Sequence, residues 1–123
     1  MKKALIVEDN KSIAILLKHM LRKSGFEAKI AEDGQEAFRM ASTGEFDLIT
    51  MDLMMPNWDG QTAINALGMI EYPSSILIIS ALHDDELKEE LTSLPNVIGW
   101  LTKPFSDTDL AGIVGDMTAN DGE

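Results

Sequence analysis

The sequence predicts an α/β protein: a doubly wound (βα)5 sandwich with a five-stranded parallel sheet and helices on both faces. Three observations carry this. Short continuous apolar runs recur at residues 4–7, 48–51, 76–79 and 97–101, as strands buried on both faces read. Between them lie stretches with apolar residues at helical spacing. The two patterns alternate along the whole chain, which implies βαβ units with right-handed crossovers.

Each element has its own signal. The first strand, 4–7, stops at Glu8-Asp9. In the first helix Ile13, Leu16, Leu17, Met20 and Leu21 share one face and are expected to be buried. Residues 27–31 alternate polar and apolar, as a half-exposed edge strand would. Phe38 and Ala41 mark the second helix. The third strand, 48–51, runs into Asp52, and a short third helix is expected after Asp59-Gly60. The fourth strand, 76–79, runs into Ser80, and Leu87, Leu91 and Leu94 mark the fourth helix. The fifth strand, 97–101, leads to Lys103-Pro104. Leu110, Ile113, Val114 and Met117 mark the fifth helix, and Ser106 with Asp109 forms a capping-box pattern before it. Gly25, Gly34 and Gly44 are read as turn residues. Of the two common doubly wound orders, 2-1-3-4-5 puts the amphipathic second strand on an edge, where its polar residues meet water.

The 123 residues suit a single domain. We assign 1–118 to it and 119–123 to a polar tail or the start of a linker, with the end of the chain expected to fray. The formal net charge is −11, so the surface repels phosphate backbones and anionic membranes. Neither direct nucleic-acid binding nor membrane docking is expected. The chain has no cysteine, which excludes disulfides and thiolate metal sites. The apolar run near the start is too short for a signal peptide or a membrane span, so a cytoplasmic protein is expected.

The polar residues then fall in a telling place. Glu8-Asp9, Asp52, Ser80 and Lys103 all stand at carboxyl ends of strands, and ligands of open α/β sheets bind outside those ends, where the strand order reverses. Three carboxylates gathered there repel one another, so a divalent cation, Lys103 or both must neutralise them. Only oxygen ligands are offered. That suits Mg²⁺, with Mn²⁺ as a substitute. A central carboxylate can be a nucleophile that forms an acyl phosphate, with catalysis mostly positioning and charge neutralisation. Asp52 is expected to be that nucleophile, with Asp9 bound directly to the metal and Glu8 bound through water. Lys103 is expected to pair with a carboxylate and then a phosphoryl oxygen, and Ser80 to donate a hydrogen bond to another.

Four segments then carry a resemblance: residues 5–10 (Leu-Ile-Val-Glu-Asp-Asn), Asp52 through Pro56 with Asp59-Gly60, Ser80-Ala81, and residues 99–105 (Gly-Trp-Leu-Thr-Lys-Pro-Phe). In this order and spacing the chain resembles the receiver domains of two-component response regulators, in layout most closely the single-domain chemotaxis and phosphorelay receivers. The resemblance runs from about residue 3 to 117. It implies a flavodoxin-like fold with Asp52 as phospho-acceptor, and Glu8 and Asp9 as the acidic pair. It further implies the Met54 backbone carbonyl as a metal ligand and Ser80 as the hydroxyl that meets the phosphoryl group. Ala81 is then the small residue that admits phosphate, Trp100 the aromatic switch position, and Lys103–Pro104 a cis bond. Trp100 is larger than the usual Tyr or Phe, so its full inward swing is expected to be impeded. A sensor histidine kinase or a histidine phosphotransfer protein is the implied donor. The output is an unknown downstream protein or effector domain, reached through the fourth helix, fifth strand and fifth helix. The chain would catalyse only its own phosphorylation and dephosphorylation.

Two departures matter. Met54 and Leu82 stand where fast-cycling receivers often carry polar residues, so attacking water is poorly positioned and a long-lived aspartyl phosphate is expected. Asp84, Asp85, Glu86, Glu89 and Glu90, with Asp107, Asp109 and Asp116, make the implied output face almost wholly acidic. A monomer and a basic partner surface are therefore expected there. Trp58 is expected to cover the site or touch a partner. Other classes fit less well. An aspartyl-phosphate phosphatase needs an Asp where Met54 stands, and a flavin carrier needs a Ser/Thr/Gly-rich phosphate loop after the first strand. A non-phosphorylated interaction module would not need the complete set of Glu8, Asp9, Asp52, Ser80 and Lys103.

Overall fold

The computed structural model describes residues 1–55 and 57–118. Strands and helices alternate throughout: β1 (Lys2–Val7), α1 (Lys11–Lys23), β2 (Phe26–Ala31), α2 (Gly34–Thr43), β3 (Leu48–Met51), α3 (Gly60–Met69), β4 (Ser75–Ser80), α4 (Asp85–Thr92), β5 (Val97–Thr102) and α5 (Asp107–Thr118). All strand pairings are parallel, and the order is β2-β1-β3-β4-β5. The amphipathic β2 is an edge strand, as predicted, with Glu27 and Lys29 exposed. The polar tail, 119–123, lies outside the described residues.

The sheet divides the apolar side chains into two cores. Leu5, Val7, Ile49, Met51, Ile76 and Ile78 meet α2, α3 and α4 on one face. Ala4, Ile6, Leu48, Leu77, Ile79 and Leu101 meet α1 and α5 on the other. Consecutive strand residues go to opposite cores, which is why these strands read as near-continuous apolar runs, broken in β3 only by Thr50. Each fully buried Leu or Ile contributes about 2 kcal/mol of transfer free energy, so the double core dominates the stability.

The helices start at side-chain caps in the segments that follow the strands. Asn10, Asp33, Asp59 and Asp84 are N-caps whose side chains accept from the amides of Ile13, Glu36, Thr62 and Leu87. At α5 the predicted capping box forms, with Ser106 Oγ accepting from Asp109 N at 3.0 Å and Asp109 Oδ2 accepting from Ser106 N at 3.2 Å. Every helix is thus launched just beyond a strand's carboxyl end, so the polar turns collect along one edge of the sheet.

Several expectations are corrected. Leu16 is 49% exposed, because the buried stripe of α1 is Ala14, Leu17 and Leu21. Phe38 and Ala41 both lie in α2 as predicted, with Phe38 half-buried beside the stripe of Gly34, Ala37 and Ala41. Gly34 is the first residue of α2 and not a turn residue. Leu94 lies beyond α4 yet packs on the core from the loop. Pro95 disfavours helix at Leu94, and the Ser93 hydroxyl donates to Glu90 O at the helix end. The third helix is not short: it spans ten residues, as α2 does. Its apolar residues are spread round the helix, so the sequence shows no clear stripe. β5 carries a bulge. Ile76 pairs with Val97 and Leu77 with Gly99, leaving Ile98 over and 41% exposed. Past the bulge Trp100 lies opposite Ile78 and packs, half-buried, on the α2–α4 side, while Leu101 packs on the α1–α5 side.

Candidate functional site

Glu8 and Asp9 follow β1, Asp52 follows β3, Ser80 ends β4, and Lys103 follows β5. β1 and β3 are neighbours although α1, β2 and α2 lie between them in sequence. The strand order reverses there, and the three acids meet at that point. Backbone bonds hold them: Asp52 N donates to Val7 O at 3.1 Å, and Glu8 N donates to Ala31 O at 3.0 Å. One carboxylate oxygen from each of Glu8, Asp9 and Asp52 lies within 4.8 Å of the others. Glu8 and Asp52 are buried and Asp9 is exposed.

Lys103 crosses to this cluster. Its Nζ donates to Glu8 Oε1 at 2.5 Å and to Asp52 Oδ2 at 3.1 Å. Burial alone would lower the Lys103 pKa, but these two acceptors outweigh it and hold the ammonium above its ordinary value. Burial raises the Glu8 carboxyl, helped by the charge of Asp52 and opposed by the Lys103 hydrogen bond. Asp52 Oδ1 accepts from Met54 N at 3.1 Å, and Glu8 Oε2 accepts from Asn10 N at 3.2 Å. Ser80 is fully buried. Its Oγ accepts from Leu82 N at 3.2 Å, and its carbonyl accepts from Lys103 N at 3.0 Å.

The donor set suits a hard cation. Three carboxylates face one ammonium, all ligand atoms are oxygen, and Asp9 opens the cluster to water; Mg²⁺ is held in such sites with several waters retained. The Met54 side chain is 60% exposed, Ala81 is exposed, and the Lys103–Pro104 bond is cis.

The rings of Trp58 and Phe38 have centroids 5.6 Å apart, so Trp58 lies on α2. Sequence reasoning missed two features. Asp33 and Asn57 join α2 to the loop after β3, at 2.7 Å. An apolar hollow of about 360 Å³ opens beside Lys103, lined by Ile13, Leu16, Ala81, Pro104 and Phe105. A clue to the hollow lay in α1, which has more apolar residues than one buried stripe needs.

Among the described residues no helix is long and apolar enough to cross a membrane. Over residues 4–114 the chain matches the family model described as the response regulator receiver domain. It is 36% identical over 109 residues to the alkaline phosphatase synthesis transcriptional regulatory protein PhoP of Bacillus subtilis, covering 89% of this chain and 45% of that protein. The chain spans about half the length of such curated relatives. Among solved structures, chemotaxis protein CheY4 of Vibrio cholerae superposes with a TM-score of 0.84 at 32% identity, over 94% of this chain and 98% of that one. Response regulator TrrA of Thermotoga maritima, in complex with Mg(2+)-BeF, gives 0.82 at 27% identity, over 95% and 99%. Fold, acidic cluster and sequence agree: this chain belongs to the response regulator receiver domain family.

Proposed function

We propose that Asp52 accepts a phosphoryl group from a phosphohistidine of a sensor histidine kinase or a histidine phosphotransfer protein. The carrying observation is the clustering of Glu8, Asp9 and Asp52 with Lys103 bridging two of them. A carboxylate oxygen of Asp52 attacks phosphorus, the P–N bond to the donor imidazole breaks, and the imidazole leaves with the bonding pair. Lys103 keeps its ammonium charge and follows the negative charge onto a phosphoryl oxygen. The Ser80 hydroxyl leaves the Leu82 amide and donates to a second oxygen, and Ala81 leaves room for that group. Glu8, Asp9, Asp52 and the Met54 carbonyl would hold Mg²⁺, which supplies charge neutralisation to the phosphoryl oxygens; Mn²⁺ would take the same donors.

The receiver unit is proposed to run over residues 1–118, with 119–123 as tail or linker start, and to work in the cytoplasm. It acts on no external substrate beyond taking and losing this group. The donor protein is proposed to seat on the apolar hollow beside Lys103. The output is proposed to leave by α4, β5 and α5, where exposed Ile98 and half-buried Trp100 stand among acidic side chains and favour a basic partner.

Intact mass after incubation with acetyl phosphate tests the reading. A gain of one phosphoryl group is expected with Mg²⁺, and none without it or in Asp52→Asn. The adduct is expected to persist, and to decay faster in Met54→Asn, whose amide can orient water. No gain from acetyl phosphate or from a phosphohistidine donor would leave a non-phosphorylated interaction module as the better reading.

A further inference from the structure

We infer that α2, which contributes no residue to the site, sets the affinity of the site for its cation by clasping the loop that joins β3 to α3. The inference rests on the proposed cation at Glu8, Asp9 and Asp52. Three contacts make the clasp. Asn57 Nδ2 donates to Asp33 Oδ2 at 2.7 Å, Gly34 N donates to Trp58 O at 3.2 Å, and the Trp58 ring lies on Phe38 at 5.6 Å. Asp33 serves both sides at once: its other oxygen, Oδ1, caps α2 through Glu36 N at 2.8 Å.

The fit is close. A Cβ on Gly34 would lie 2.5 Å from Trp58 O and 2.8 Å from Trp58 Cβ, so only glycine lets the loop approach this near. Asn57 holds φ at 62°, a left-handed conformation that Asn accepts more readily than most residues. The same loop is held at both ends close to Asp52. Met54 N donates to Asp52 Oδ1 at 3.1 Å, and Gly60 N donates to Leu53 O at 3.3 Å, so near that a Cβ on Gly60 would lie 2.3 Å from Asp52 O. Between these ties lies Met54, whose carbonyl is the proposed backbone ligand. A loop fixed at its ends but free in the middle would present that carbonyl over a range of positions. Fixing 57 and 58 to α2 narrows the range, and preorganised ligands bind more tightly because less order is lost on binding. Asp33, Gly34 and Asn57 are therefore positioning residues.

The test is Mg²⁺ titration calorimetry on the wild type, Asp33→Ser, Asn57→Gly and the double variant, with acetyl phosphate rates and amide exchange alongside. Serine preserves the α2 cap and glycine tolerates the left-handed φ, so both changes remove the cross-link; Asp33→Ser leaves the loop backbone as it is, and Asn57→Gly leaves the charge as it is, so an effect common to both belongs to the lost bond. Each single variant is expected to raise the Mg²⁺ Kd about three- to tenfold, and the double variant no further, since one bond is lost in all three. The phosphorylation rate at saturating Mg²⁺ is expected to stay within about twofold, and the amides of Leu53, Met54 and Met55 to exchange faster. Gly34→Ala, which pushes the loop off α2, is expected to weaken Mg²⁺ most. A wild type that binds Mg²⁺ with variants that bind it equally would overturn the clasp alone. Weakening seen only in step with global melting would also overturn it. A wild type that binds no Mg²⁺ would overturn both the clasp and the cation site beneath it.

Discussion

Thr50 sits at the middle of β3 on the α1–α5 side, opposite Ile6 and Leu77, and its buried hydroxyl has no hydrogen-bond partner. An unpaired buried hydroxyl costs free energy that an isosteric methyl does not. Thr50→Val is expected to raise stability by about 1 kcal/mol in urea unfolding; a loss would mean that the hydroxyl is satisfied in solution. Asp33 is the second residue with a sharp expectation. Its carboxyl is held below its ordinary 3.8, first by the Glu36 amide and then by the Asn57 amide. A depressed carboxyl stabilises the fold above the unfolded pKa, and that contribution fades as pH falls below it toward the folded value. An NMR titration should place the Asp33 midpoint below 3.8, and Asn57→Gly should move it upward. Single residues also show where sequence reading stops. Asp52, Lys103 and Ser80 were legible because strand ends and motif spacing locate them. The Asp33–Asn57 bond was not, since its partners lie 24 residues apart and neither is unusual in its own segment.

At the scale of elements, strands were more legible than helix faces. A parallel strand advertises itself by apolar side chains on both sides, so residues 48–51 were found without error. Helix faces depend on which stripe the neighbours cover, and α1 offers two choices. Ala14, Leu17 and Leu21 won, which left Ile15 and Leu16 about half exposed. Small Ala14 allows close approach to the sheet, where Leu16 would hold the helix off. The stripe that lost borders the hollow beside Lys103. Leu16→Asp should therefore slow phosphoryl transfer from a histidine-bearing protein at least about tenfold, the scale of a charge put into an apolar contact, and leave the acetyl phosphate reaction unchanged. Equal slowing of both would place the defect in the chemistry and not in docking.

For the whole molecule, charge and topology act together. A net charge of −11 opposes compaction, and three of the acids are packed at one point. Sodium chloride should raise the melting temperature by screening. Mg²⁺ at matched ionic strength should raise it further, because binding adds about 2.7 kcal/mol of folding stability at one hundred times Kd, and this extra gain should shrink in Asp52→Asn. Equal effects of the two salts would argue against a bound cation. The global order β2-β1-β3-β4-β5 was readable because only an edge suits a half-polar second strand. The bulge in β5 was not readable, because Val97 through Leu101 show no break in apolar character. It bears on how the chain tolerates changes of length. Ile98 is the residue that β5 carries beyond what β4 can pair, and it lies upstream of Trp100 and Lys103. Losing it would leave Val97 and Gly99 adjacent and already facing opposite cores. The strand therefore holds one residue of slack ahead of the site, and a deletion there would be absorbed before it reached the lysine, whereas a deletion between 99 and 102 would carry that lysine out of step with Asp52.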